Sequence, residues 1–355
     1  MANLSDLDVV YAPYAADLSN AADRRRFPWF LRRQGVDFDV SVKPRPCDLA
    51  YITDGGDLSG WCDLKDARGD AMTLALDFVD MYFHYPPSPG RAAKGAMRFL
   101  QGRESRFALR HTDAMARACR TADVIFCASE DQRDTLLAYN DNVHITLDWF
   151  ETTDAPPKSD FRAARPFRLG WEGQPWTLNG VNAVAPALNA LADHVELHLM
   201  TNTRMKGRVP GTTRSVLSQI PDVRCAVSVR EWELATVQHY ITACDAMILP
   251  LDRTNFSQWA KPANRLISLW HLDMPVIASA TRAFSDLQHA AGLDLLADGL
   301  ADWEAQLERV IAASADQRRA WAQAGRTHAQ ANFNDARLAE RWAAGLASCG
   351  VVVDL

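Results

Sequence analysis

Residues 240–279 read YITACDAMILPLDRTNFSQWAKPANRLISLWHLDMPVIAS, and the order of apolar and polar runs within them sets the kind of sheet this chain builds. The apolar run at 246–251 suits a short buried strand, and the polar stretch DRTNFSQWA at 252–260 reads as a loop. Residues 262–272 carry a helical pattern, and 275–278 form a second apolar run. A strand, a helix and a strand in that order predict parallel pairing, with helices on both faces of the sheet. In such sheets ligands bind beyond the carboxyl ends of the strands, where a loop feeds the positive end of the next helix. That rule selects the 252–264 segment. Pro262 suits a first helical position because it has no N–H to lose and a preset φ. The amides of that first turn, with the Lys261 ammonium beside them, make a site for a diphosphate, and Asn264 and Arg265 are placed to face the same cleft. The competing reading makes Lys261 and Arg265 solvated charges and Asn264 an ordinary first-turn residue.

The same rhythm extends on either side. Upstream, strands are expected at 167–171, 195–200 and 223–229, and helices at 182–192 and 234–244. The strand-end rule then adds the loops 170–177, 201–206 and 229–232 as ligand positions. Residues 151–166, ETTDAPPKSDFRAARP, have no periodicity and carry three prolines, so they read as a domain boundary. Before it lies another alternating series: a strand at 8–14, a helix at 21–33, and strands at 38–42, 49–53, 72–78 and 124–128. After residue 302 the chain reads as two or three amphipathic helices anchored by Trp303, Trp321, Phe333 and Trp342. The expected organisation is therefore α/β, with one Rossmann-like domain over 1–155 and a second over 156–330. A terminal helix within 331–355 is expected to pack back toward the first.

At 355 residues the chain is long enough for two domains, and 48% apolar with 23% charged residues describes an ordinary globular protein. The formal net charge of -6 offers no general attraction to nucleic acid or to an anionic membrane, and no nucleic-acid partner is expected. A local exception runs from Arg91 to Arg120, where eight cations recur at roughly helical spacing among Phe99, Leu100, Phe107 and Leu109. A solvated helix face and a surface resting on acidic lipid headgroups are the two readings, the second implying peripheral membrane contact. The seven cysteines include no Cys-x-x-Cys pair and are expected to be buried free thiols. With no signal-peptide pattern and no membrane-spanning run, a cytoplasmic location is expected, membrane-associated if the basic surface is used.

The stretch 240–279 resembles the nucleotide-sugar-binding segment of GT-B glycosyltransferases, the retaining kind above all. In that family a helix ending in aspartate precedes a strand ending in proline, and a variable loop leads to a helix and a Pro-Val-Ile-Ala-Ser strand. Residues 244–250 and 274–279 match this pattern. Residues 168–173 resemble the start of the family's C-terminal domain, and ADVIFCASEDQRDTLL at 122–137 resembles the last strand and helix of its N-terminal one. The resemblance implies two Rossmann-like domains facing across a cleft, with a nucleoside diphosphate sugar as donor in the second and a glycan or lipid-linked acceptor in the first. It places Gly173 and Gln174 at the diphosphate. It also places 229–232 at the nucleobase, where Trp232 stacks on the base and Arg230 reaches phosphate or ribose; a Trp in such a loop also serves simply as packing. Retaining members carry two glutamates eight positions apart around the donor helix. Here Ala260 and Ser268 stand at those positions, so Ser268 takes the place of the ribose-binding carboxylate.

For the reaction, the first domain must supply the acceptor site and any general base. Asp80 and His84, in LDFVDMYFHYPP at a strand end, rank first, followed by Asp77, Asp54 and Glu130; His84 beside tyrosines also reads as a hydrogen-bonded structural residue. There is no Gly-x-Ser-x-Gly elbow, Walker loop, His-Glu-x-x-His or dinucleotide Gly-x-Gly-x-x-Gly. Asp37 and Asp39 read as strand-face residues, so no essential metal and no cofactor are expected. The leading function is sugar transfer from a nucleoside diphosphate sugar in surface-polysaccharide assembly. Its alternatives are a catalytically degenerate binding or assembly protein of the same fold and an epimerase acting on a nucleotide-linked sugar.

Overall fold

The computed structural model describes residues 2–85, 88–151, 153, 155–206, 212–220 and 222–355. Contacts divide the chain into two compact units, one made of Met1–Trp149 with Asn334–Leu355 and the other of Phe150–Phe333.

The first unit contains β1 (Ala2–Asn3), β2 (Val9–Ala12), β3 (Asp39–Val40), β4 (Leu49–Thr53), β5 (Thr73–Phe78), β6 (Val124–Cys127) and β7 (Val143–Ile145). All but β1 form one parallel sheet in the order β3-β2-β4-β5-β6-β7. β2, β4 and β6 are buried along their whole length, as a parallel sheet covered on both faces requires. The helix expected over 21–33 is two helices, Ala21–Arg25 and Phe27–Arg33, broken at Arg26. Pro28 sits in the first turn of the second helix. Arg26 leaves helical geometry, and its wholly buried guanidinium grips Asp77 of β5 with two bonds of 2.8 and 2.6 Å. The strand expected over 38–42 shrinks to the exposed two-residue edge strand β3. The helix Asp335–Ala347 belongs to this unit. Its fully buried Trp342 lies among Phe27, Phe30, Tyr51 and Phe126, and the strand Val351–Val352 after it pairs in parallel with β1.

The second unit contains β8 (Phe167–Glu172), β9 (Val195–Thr201), β10 (Arg204–Lys206), β11 (Thr213–Ser215), β12 (Ala226–Glu231), β13 (Ala246–Leu249), β14 (Val276–Ser279) and β15 (Leu296–Ala297). Six of them form a parallel sheet in the order β12-β9-β8-β13-β14-β15, while β10 and β11 make a separate antiparallel hairpin. Counted along the chain, the six run 3-2-1-4-5-6, the dinucleotide-binding order in which the connections reverse direction between the first and fourth strands, here β8 and β13. The linker is pinned to this unit. Lys158 Nζ donates to the Cys244 carbonyl at 2.7 Å, and Asp245 accepts the Ala164 amide at 3.1 Å.

Three expectations are corrected here. The strand expected at 223–229 is shifted to 226–231, because its pairing with β9 continues to Glu231 opposite Thr201, leaving Trp232 as the first loop residue. The helix expected at 182–192 is two short ones, Asn179–Ala183 and Ala185–Ala190, the second starting around Pro186. The helix expected at 262–272 begins at Asn264, not Pro262. The polar stretch before it hides a short helix, Phe256–Trp259, which closes with the Lys261 amide donating to Gln258 at 3.2 Å. Pro262 therefore occupies a turn between two helices.

Candidate functional site

In the second unit the topological switch point places the carboxyl ends of β8 and β13 side by side, with residues 172–177 and 250–252 opening from them. Glu172, the last residue of β8, gathers two partners from distant parts of the chain. Its carboxylate accepts the Trp232 indole N–H at 2.7 Å, and its backbone carbonyl accepts Arg265 Nη1 at 2.8 Å. Gly173 follows. A Cβ there would lie 2.8 Å from Arg265 Nη1, 2.8 Å from the fully buried Trp171 ring and 3.0 Å from Thr177 Oγ1, so only glycine lets the guanidinium pass this close to the loop. From the β13 side, Asp252 accepts Asn179 Nδ2 at 3.4 Å, which ties the start of the helix Asn179–Ala183 to the loop after that strand.

Of the residues selected from sequence, this arrangement brings together Gly173, Trp232 and Arg265. Gln174 is exposed and its carbonyl receives both the amide and the hydroxyl of Thr177, each at 2.8 Å, which shapes the loop. Lys261 is half-buried in the turn before the helix Asn264–His271, and Asn264 is that helix's first residue. Arg230, exposed near the end of β12, lies over the Tyr240 ring at 5.6 Å. Ser268 donates its hydroxyl to the Asn264 carbonyl at 2.9 Å, a bond back into its own helix. Ala260 is fully buried.

The electrostatics single out Arg265. Burial pushes its guanidinium below its ordinary range, and the Glu172 carboxylate opposes that push. A guanidinium carries five N–H donors, and among the described residues Arg265 spends one hydrogen bond, on the Glu172 carbonyl. A sheltered cation with donors left over suits an anionic ligand at the switch point. Glu172 was missed from sequence because its role depends on Trp232, 60 residues away; the available signal was its position between Gly170 and Gly173 at a strand end. Another concavity, of about 1000 Å³, is lined by linker residues 162–167 and by 192–195, at the amino ends of the strands. The strand-end rule puts ligands at the opposite edge.

In the first unit the order 2-1-3-4-5-6 puts the switch point between β2 and β4. The loop after β4 crosses there so closely that a side chain at Gly55 would run into the Pro13 carbonyl. Asp54 opens this loop and pairs with Lys94 at 3.5 Å. Beneath it His111 is buried, with Nε2 4.0 Å from Asp54 and Nδ1 3.7 Å from Glu104, and neither ring nitrogen has a hydrogen-bond partner among the described residues. Glu104 itself is buried, pairs with Arg98 at 3.0 Å and accepts the Ser59 amide at 3.0 Å. Burial, with Arg98, Lys94 and Arg103 nearby, pushes the His111 imidazole down to about 2. Burial, then the charges of Asp54 and Asp80, lift the Tyr82 phenol well above its usual range. His84, exposed, lines a groove with Phe83, Thr112, Asp113 and Tyr139. Asp77, a lesser candidate, is held in the core by Arg26, and burial raises it above the usual carboxylate range even so. His111 and Glu104 were missed because each sits in a basic, surface-like stretch, while the Asp-Gly-Gly turn after β4 was the readable sign. Among the described residues no three His, Cys, Asp or Glu side chains cluster as a metal site, and the seven thiols are free.

No protein-family model matches the chain, and no curated protein sequence does. Solved structures do. Anabaena HepE in complex with UDP and glucose superposes with a TM-score of 0.62 at 14% identity, over 96% of this chain and 100% of that one. WaaG, a glycosyltransferase involved in lipopolysaccharide biosynthesis, gives 0.54 at 15% identity over 96% and 100%. TarM gives 0.57 at 13% identity over 85% of this chain, which spans 54% of TarM's length. At these identities the likeness speaks for architecture. With a parallel six-stranded sheet in each unit, the chain has the GT-B glycosyltransferase fold.

Proposed function

We propose that this chain is a glycosyltransferase that holds a nucleoside diphosphate sugar at the carboxyl ends of β8 and β13. The observation that carries this reading is Arg265, a sheltered guanidinium at the switch point that spends one hydrogen bond among the described residues, on the loop carbonyl beside Gly173. In the transfer, the bond between the sugar C1 and the diphosphate oxygen breaks and C1 bonds to an acceptor oxygen. The departing diphosphate gains charge that Arg265, with Lys261 near the same helix, stabilises. The acceptor hydroxyl gives up its proton to a carboxylate, for which Asp54 and Asp80 in the first unit are the candidates. A glycan or lipid-linked acceptor in surface-polysaccharide assembly fits the company the fold keeps, WaaG among it. Uridine nucleotides are the first probes, because HepE was crystallised with UDP and UDP-glucose. Calorimetry with UDP, GDP and ADP, followed by transfer from the matching labelled sugar, tests the proposal. Absence of binding to all three ends it.

A second reading rests on one observation: where paired glutamates would stand, Ala260 is buried and the Ser268 hydroxyl is spent within its helix. A binding protein that has lost catalysis would hold the donor without hydrolysing or transferring it.

A further inference from the structure

Residues 91–110 carry six cations (Arg91, Lys94, Arg98, Arg103, Arg106 and Arg110) against one carboxylate, Glu104, in a chain whose formal net charge is -6. That carboxylate is buried and paired with the buried Arg98, so the outer surface of the segment has no acid of its own. Arg91, Arg103, Arg106 and Arg110 are exposed, Arg106 reaching Asp63 at 2.8 Å. Among them stand five exposed large apolar side chains: Met97, Phe99, Leu100, Phe107 and Leu109, with Leu100 82% and Phe107 64% accessible.

These side chains form one patch. The helix Lys94–Leu100 turns Gly95 and Arg98 inward, so Met97 and Leu100, three positions apart, share its outer face. The following segment is folded back along it. The Ala96 amide donates to the Leu109 carbonyl at 3.2 Å, and the Phe99 and Phe107 rings meet edge to face at 5.7 Å. Exposed apolar residues scattered singly are common, whereas five gathered on 13 residues of one segment call for a partner.

We infer that this patch docks the first unit onto an anionic lipid surface. The arginines meet the phosphates of the headgroups while Leu100, Met97 and Leu109 enter the boundary with the acyl chains, an environment that takes both kinds of side chain at once. A nucleic acid would satisfy the arginines but leave the aliphatic tips in water. A second copy of the patch would cover the tips but set arginine against arginine.

The test uses the full chain and sedimentation with phosphatidylcholine vesicles, with and without phosphatidylglycerol. The expected result is binding to the anionic vesicles, weakened by salt, and little to the neutral ones. Arg103→Glu with Arg110→Glu should each lose about fivefold or more in partitioning, and Leu100→Ser with Phe107→Ser together about 10- to 100-fold. Because these side chains are exposed, the melting temperatures of the variants should match the parent's. Equal binding to both vesicle types, or variants that sediment like the parent, would overturn the inference. So would a parent dimer that Leu100→Asp converts to monomer with no vesicle binding by either, since the occupant would then be a second copy.

Discussion

Arg265→Met is the sharpest probe of the donor site. Methionine keeps the length and apolar stem of the side chain but removes the guanidinium, so the Glu172 carbonyl loses its 2.8 Å donor and the switch point loses its cation. A hydrogen bond to a charged group contributes about 1.5–3 kcal/mol net, which corresponds to about 10- to 150-fold in Kd for a nucleoside diphosphate. The fold should tolerate the change, because burial already works against the charged form of this residue and because its one bond among the described residues is to a backbone carbonyl. Arg265→Lys should fall between parent and Met, keeping a point charge without the two-pronged donor. Calorimetric titration of each variant with the nucleotide that binds the parent, together with melting curves, gives the comparison. If Arg265→Met binds within twofold of the parent while folded, the diphosphate is held elsewhere and the proposed site is wrong.

Gly173→Ala should act on the same cation from the loop side: its Cβ would crowd Arg265 Nη1, and the buried Trp171 cannot retreat. Nucleotide binding should weaken about tenfold, with a stability loss of about 1–3 kcal/mol from overpacking; an unchanged Kd would show the loop has room to spare. Arg26→Met would strand the Asp77 carboxylate in the core and should cost about 3–5 kcal/mol in denaturant unfolding, part of which Asp77→Asn in the same chain should restore. For His111, the folded chain refuses a proton that the unfolded chain accepts near pH 6.5. Stability present above that pH should therefore fall as pH drops below it, by about 1.4 kcal/mol per unit. His111→Leu should flatten the fall by that amount, and an unchanged slope would mean the imidazole takes a proton in place.

Both parallel sheets were legible because several of their strands are short apolar runs punctuated by polar turns, as 246–251 and 275–278 are. What escaped depends on partners distant in sequence. Arg26 breaks its helix to reach Asp77, 51 residues on, and only Pro28 hinted at the break. The true start of the helix at Asn264 was hidden because DRTNFSQWA looks like loop yet contains a helical turn. In the site, position at a strand end was readable, and it led to Gly173, Trp232 and Arg265. Orientation was not: nothing local says that Ser268 turns back into its helix or that Glu172 joins the other two.

The return of the helix Asp335–Ala347 to the first unit has a consequence for biosynthesis. Trp342 fills the aromatic core beside Phe27, Tyr51 and Phe126, yet the ribosome must make all of Phe150–Phe333 before that tryptophan exists. The uninterrupted half is thus free to fold while translation continues, whereas the half begun first waits, its core incomplete, for the last stretch of chain to emerge.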